Sequence, residues 1–418
     1  MIIKREKYLK QLVESCGNGM IKVVTGVRRC GKSFLLFKLF RNYLMEQGVD
    51  DEHIIEVDLE NRLNKKFRDP DALLEHIMSR IKDERKYFIL LDEVQLVSEF
   101  EDVLNSFLKM ENTDVFVTGS NARFLSKDVI TEFRGRGDEI RIHPLSFKEF
   151  AEFKGSYSDA VVREYMLYGG LPQVAIEQSI EKKENYLKQQ FASTYLRDIK
   201  ERHKIQNDND LSELVDVMAS CIGSLTNPSR IANTFISVKH SKVSVNTVRK
   251  YIEYMEDAFL IEKAVRYDVK GRQYIDSPFK YYFEDLGLRN ARLGFRQAEQ
   301  THLMENLLYN ELRGIGFNID VGQVYTTTNN GDGMHKKSTL EIDFVCNKGY
   351  NRIYVQSAFT IDSLEKTEQE LSSLKNLKDG FRKIVIVGGL QPTYINEDGI
   401  YIVNLTDFLQ SPERFLSL

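Results

Sequence analysis

Over the first third of the chain the apolar positions fall into short dense runs; beyond it they take helical spacing. Residues 20–26 (MIKVVTG), 53–61 (HIIEVDLEN), 86–95 (KYFILLDEVQ) and 113–122 (TDVFVTGSNA) are apolar, β-branched stretches that close on glycine, acidic or small polar residues. Such runs predict strands buried on both faces, as in a parallel sheet. Residues 32–48 (KSFLLFKLFRNYLMEQG) have helical apolar spacing and stop at Gly48, a helix with a glycine end. Strands alternating with helices in this order predict an open, mostly parallel α/β sheet with helices on both faces.

After Pro144 the period changes. Residues 156–178 read as two helices hinged at Gly169-Gly170 and Pro172, and 182–204 as a long amphipathic helix rich in both charges. Residues 211–223 and 227–235 predict two further helices, the second with Asn227 as its cap and Pro228 in its first position. A third, from 244, runs into a β-ribbon. Three helices and a ribbon predict a winged-helix segment. Its third helix offers Asn246, Thr247, Arg249 and Lys250, types that reach bases or phosphates, but the acids of EYMED follow and oppose a phosphate backbone. DNA, RNA or a protein partner therefore all stay open. Residues 301–317 predict a helix, 338–349 and 351–359 two successive strands, 381–389 and 399–405 two more, and 326–338 (TTTNNGDGMHKKS) a polar loop. The expected organisation is a P-loop domain over 1–150, a helical lid or linker over 151–207, a winged-helix-like segment over 208–290 and an α/β domain over 291–418.

The chemistry concentrates at 26–33. GVRRCGKS matches G-x-x-x-x-G-K-S with a strand before it and a helix after it, the context of a P-loop. Gly26 and Gly31 let backbone N–H groups turn toward phosphate oxygens, and the helix beginning near Lys32 adds its positive end. Lys32 is suited to the β- and γ-phosphates and Ser33 to Mg²⁺. Val27, Arg28, Arg29, Cys30 and Phe34 complete the nucleotide-binding stretch, Arg28, Arg29 and Cys30 at positions where only backbone is needed and the side chains are free to face solvent, the lid or a partner. At the end of the strand 86–92, Asp92 is placed to hold the magnesium and Glu93 to orient or deprotonate the attacking water. Ser120 or Asn121, at the end of the next strand, would touch the γ-phosphate or cap the following helix. Arg134 and Arg136 lie in a glycine-interrupted loop and read as an arginine finger, in cis or on a neighbouring subunit of a homo-oligomer, or as solvated surface.

These stretches, with VTGSNARFLS, FRGRGDEIRIHPLSFKEF and YGGLPQV, resemble the bacterial and archaeal AAA-type ATPases that carry a C-terminal domain of unknown function. The resemblance covers the first 175 residues closely and implies ATP and Mg²⁺ as ligands, an ATPase core and a tail of the restriction-endonuclease-like kind. In that tail fold a helical Glu, a strand Asp and a following E-x-K hold a metal and activate water. Here Glu311 or Glu305 would supply the helix acid and Asp343 the strand acid, but Tyr354-Val355-Gln356 fills the E-x-K place. The tail is therefore expected to be catalytically degenerate. The leading reading is an ATPase whose hydrolysis rearranges its C-terminal domains, on nucleic acid or not. The alternatives are a non-hydrolysing nucleotide switch or assembly scaffold, and a DNA-processing enzyme with an active nuclease tail.

Composition narrows this little further. Net charge is -4, from 58 basic and 62 acidic groups, which excludes wholesale coating of nucleic acid but not a local basic face. Four cysteines lie far apart without a CxxC pair, which fits a reducing cytoplasm and no zinc site. No apolar stretch approaches the roughly 20 residues of a membrane span, and MIIKREKYLK lacks a signal-peptide core.

Overall fold

The computed structural model describes residues 2–119, 135–205, 208–239, 243–296, 299–330 and 334–416. The chain divides into two compact units, Met1–Pro144 with Asp257–Phe259, and Leu145–Glu256 with Leu260–Leu418.

The first unit is the expected α/β sheet. Strands β1 (Ile21–Thr25), β2 (Ile54–Asp58), β3 (Tyr87–Asp92), β4 (Thr113–Thr118) and β5 (Gly137–Arg141) stand in the order β2-β3-β4-β1-β5, every pair parallel. Parallel pairing brings all carboxyl ends to one edge, and the register sets Asp58 beside Asp92 and Val24 beside Thr118. The apolar runs found in the sequence are this sheet's core: Val23, Ile55, Ile89, Leu91 and Val117 pack with Leu73, Ile77, Leu104 and Phe107 of the helices Pro70–Arg80 and Phe100–Phe107. Each such side chain taken out of water contributes about 1.5–3 kcal/mol. Two features depart from the pattern. Lys22, in the middle of apolar β1, is buried because it pairs with Asp114 of β4, whose other oxygen accepts from the Gly17 N–H at 2.7 Å. Residues 137–141 (GDEIR), where the apolar pattern predicts no strand, form one; at the sheet edge only Ile140 is buried, so a charged sequence suffices.

In the second unit the helices Asp208–Ser220, Pro228–Lys239 and Val245–Asp257 lead into the antiparallel pair β6 (Ile261–Asp268) and β7 (Gln273–Phe283). Asn227 caps the second helix, its Oδ1 accepting from the Arg230 N–H at 2.8 Å, and Thr226 bridges to Phe279 of β7. The ribbon does not end there. It is part of an eight-stranded sheet with β8 (Asn318–Asn330), β9 (Met334–Lys348), β10 (Asn351–Ala358), β11 (Arg382–Val387), β12 (Tyr394–Ile395) and β13 (Tyr401–Asn404), ordered β12-β13-β11-β10-β9-β8-β6-β7. The loop expected over 326–338 is mostly the far end of the β8–β9 hairpin, with Thr326 opposite Ser338 and Asn330 opposite Met334. Its run of threonines has the β-branched shape that strands favour.

The YGG turn at 168–170 is explained by Asp285. That carboxylate caps the helix Leu286–Arg292 by accepting from the Leu288 N–H (3.0 Å), and its second oxygen accepts from the Gly170 N–H (2.7 Å). A Cβ on Gly169, at φ +74°, would lie 2.3 Å from Asp285 Oδ1, so only glycine fits. Burial raises the Asp285 carboxyl from 3.8 to about 6, against the pull of its N–H donors. The folded state thus holds this proton more tightly than the unfolded chain, and its penalty is absent below the ordinary value and grows as pH rises toward about 6. Relative to wild type, an Asp285→Asn variant is expected to gain about 2 kcal/mol between pH 4 and pH 7, read from denaturant unfolding at both.

Candidate nucleotide site

The segment between β1 and the next helix is shaped by close approach. Gly26 has φ +140°, and a Cβ there would meet the Ile142 carbonyl oxygen at 2.0 Å. Cys30 is drawn to the same carbonyl, its thiol donating at 3.6 Å, and is fully buried. The expectation that its side chain is free to face solvent, the lid or a partner is therefore corrected: this loop turns back on β5 and needs a small apolar filler. Val27 is buried as well, whereas Arg29 and Phe34 are exposed and Arg28 pairs with Glu60 at 2.8 Å. Gly31, at φ 103°, stands at the helix start (Lys32–Phe34, continuing through Leu35–Phe40 to Arg41–Glu46).

Lys32 Nζ donates to the carbonyls of Gly26 (3.0 Å) and Val27 (3.3 Å) and is buried, so its charge lies along the inside of the loop. Ser33 Oγ lies 2.9 and 2.8 Å from the two carboxylate oxygens of Asp92. Thr118, at the end of β4 between the two elements, donates to Asp92 Oδ1 at 2.5 Å and accepts from the Glu93 N–H at 2.9 Å. Burial raises the Asp92 carboxyl to about 6, opposed by these hydroxyl donors and reinforced by Glu93 and Asp58. An acid this costly to ionise suits a cation neighbour. The donor set fits magnesium: a hydroxyl and a carboxylate converge at the edge of the loop, both hard oxygens. Bound there with a nucleotide, the ion would neutralise charge between the β- and γ-phosphates, with Ser33 and Asp92 as its protein-side holders.

Glu93 adopts φ 52°, ψ 49°, a left-handed conformation costly for a residue with a side chain, and its carboxylate accepts from the Gln95 amide. The strained turn separates the two acids' contacts: Asp92 stays tied to Ser33 and Thr118 while Glu93 takes a different partner. Ser120, Asn121 and Arg134 lie outside the described residues. Arg136 is exposed and precedes β5, its carbonyl accepting from the Ile21 N–H (2.9 Å) at the amino end of β1. It therefore sits a five-residue strand's length, about 17 Å, from its own phosphate loop and does not reach it. Thr118 is the residue the sequence reading missed. A threonine closing an apolar strand next to the Asp-bearing one was the available signal.

The nuclease-like residues do not all meet. Glu311 accepts from the Phe147 N–H (2.7 Å) and the Tyr165 hydroxyl (3.4 Å), away from Asp343, and the helix acid near Asp343 is Glu305, with Lys280 between them. Tyr354 belongs to the apolar core and donates its hydroxyl to Asp379 (2.6 Å). Gln356, not Tyr354, stands beside Asp343, its Oε1 accepting from the Asp343 N–H at 3.3 Å. Strand pairing puts Phe344 opposite Val355, which sets that register.

Residues 18–151 match the family model of an AAA domain, and residues 160–299 that of a domain of unknown function (DUF8612). An uncharacterized protein of Haemophilus influenzae is 35% identical over 415 residues, covering 98% of each chain. An uncharacterized protein of Methanocaldococcus jannaschii is 28% identical over 375 residues, 86% of this chain and 79% of that one. Among solved structures, the Aeropyrum pernix ORC1 protein in complex with DNA aligns with 70% of this chain and 93% of its own, at 12% identity and a TM-score of 0.32, a likeness that says nothing about function. No helix among the described residues is long and apolar enough to cross a membrane.

Proposed function

The chain belongs to the AAA-type P-loop ATPases that carry a C-terminal domain of unknown function, and from that premise we propose that it binds Mg·ATP on the loop 26–33 and hydrolyses it. The observation that carries this is the meeting of the Ser33 hydroxyl with both oxygens of Asp92. Lys32 would leave the loop carbonyls for the phosphates, Ser33 and Asp92 would hold the ion, which would offset phosphate charge, and Glu93 would take the proton of the attacking water. An arginine from a neighbouring copy, Arg134 or Arg136, completes the charge on the transferring group, so the active form is a homo-oligomer. The cycle's output is a rearrangement of the second unit. Nucleic acid is its proposed load, supported by the exposed Asn246, Arg249 and Lys250 on the helix Val245–Asp257.

Phosphate release by the purified chain tests engine and load together. Mg²⁺-dependent turnover is expected, raised at least about threefold by single-stranded DNA, double-stranded DNA or RNA and reduced toward the basal rate by added salt. Absence of turnover in every condition, with ATP still bound, selects the non-hydrolysing switch instead.

A further inference from the structure

The tail's acids sit around an ammonium group. Lys280 Nζ, on β7, lies 2.8 Å from Glu305, 2.7 Å from Glu341 and 3.4 Å from Asp343, and the side chain is 3% exposed. We infer that Lys280 is the resident cation of this centre: it holds the place a divalent metal takes in nucleases of this shape, so the cluster is closed to metal and does not cleave phosphodiesters.

At least one oxygen of each acid is already engaged. Glu305 Oε1 accepts from Lys280 and from the Tyr282 hydroxyl (2.6 Å). Asp343 Oδ1 accepts from Lys280 and its Oδ2 from the Ser357 N–H (2.9 Å). Magnesium demands about six oxygens at roughly 2.1 Å in octahedral array, and a fixed ammonium at their focus both repels it and fills the space. Gln356, where a further acid would serve, is an amide whose Nε2 donates to Glu370 at 3.2 Å. Among the described residues no three or more of His, Cys, Asp and Glu are grouped to hold a metal. Want of access is not the reason. A cavity of about 800 Å³, lined by Ser220, Gly223, Thr226, Arg230, Lys280 and Glu341, opens onto the cluster, and the Glu341 side chain is 36% exposed. Burial works against the Lys280 charge, but Glu305, Asp343 and Glu341 outweigh it and hold the ammonium above its usual range, so it does not leave by losing its proton. An ion can arrive; the occupant turns it away.

Terbium reports on this place selectively. The chain has no tryptophan, and Tyr282, touching Glu305, would sensitise a lanthanide bound among these acids. In nucleotide-free full-length protein, wild type is expected to show no saturable emission that depends on Tyr282. Lys280→Ala frees the carboxylates and should raise tyrosine-sensitised emission about tenfold or more, saturating at one ion, reduced by adding Tyr282→Phe, since Tyr309 stacks on that ring, and lost on adding Asp343→Asn. Because Lys280→Ala leaves buried acids unpaired, the wild-type unfolding midpoint provides a second reading: it should be the same in EDTA and in excess Mg²⁺ when no nucleotide is present. Tyr282-dependent emission from wild type, a Mg²⁺ shift of its midpoint abolished by Asp343→Asn, or a folded Lys280→Ala protein without emission would each overturn the assignment.

Discussion

Glu93→Gln is expected to lower ATP turnover about a thousandfold while nucleotide affinity stays within about twofold. The two side chains have the same shape, and both can accept the hydrogen bond that the Gln95 amide gives Glu93. What the amide cannot do is take a proton. Asp92 is no substitute, because Ser33 and Thr118 already donate to its oxygens. The backbone reinforces the division of labour. The Glu93 backbone, at φ 52°, donates its N–H to Thr118, a contact the substitution does not touch, so the magnesium-side acid stays where it was. Single-turnover phosphate release measures the loss, and titration with a fluorescent ATP analogue measures retained binding. A Glu93→Gln protein that turns over at the wild-type rate would remove Glu93 as base and move the proton to another acceptor.

The parts of this molecule that could be read from sequence are those where one short stretch carries its own constraint. The loop 26–33 is local: glycines, a lysine and a serine at fixed offsets between a strand and a helix. The first four strands of the sheet were legible because most of their residues are buried and apolar, with Lys22, Glu56 and Asp114 the charged exceptions inside them, and even Asp92 stood out as an acid ending such a run. Strand β5 was not, since its charged sequence buries a single residue, Ile140, where β2, at the other edge, buries three of its five. Cys30 was misplaced because its burial depends on Ile142, far along the chain. Lys280 gave no signal at all. A lysine in SPFKYYFED is an ordinary solvated residue until folding brings Glu305, Glu341 and Asp343 around it. Likewise the break between segments at 290–291 has no counterpart in the compact units, because the ribbon β6–β7 hydrogen-bonds straight into the tail sheet through β8.

Lys32→Ala should reduce turnover at least about a hundredfold and, unlike Glu93→Gln, should remove nucleotide binding with it. The reason lies in where the ammonium rests. It is buried, and its partners are the Gly26 and Val27 carbonyls, neutral acceptors that cannot balance a charge. A lysine held this way is poised for an anion, and trading carbonyls for phosphate oxygens gains charge-assisted bonds at little cost in side-chain entropy. A bracing role for the lysine would predict a different outcome: the variant would lose stability whether or not nucleotide is present. The two are separated by thermal unfolding. With ATP and Mg²⁺ at about a hundred times the dissociation constant, wild type should gain about 2.7 kcal/mol of stability, and Lys32→Ala almost none, while their nucleotide-free midpoints remain close. Lys32→Arg sharpens the test, since it keeps the charge but replaces a compact point cation by a wide planar fork. If position 32 must reach between two phosphates inside the loop, arginine fails there too. Retention of the nucleotide-induced shift by both variants would mean that 26–33 is a turn and not a phosphate site, and the ATPase reading would go with it.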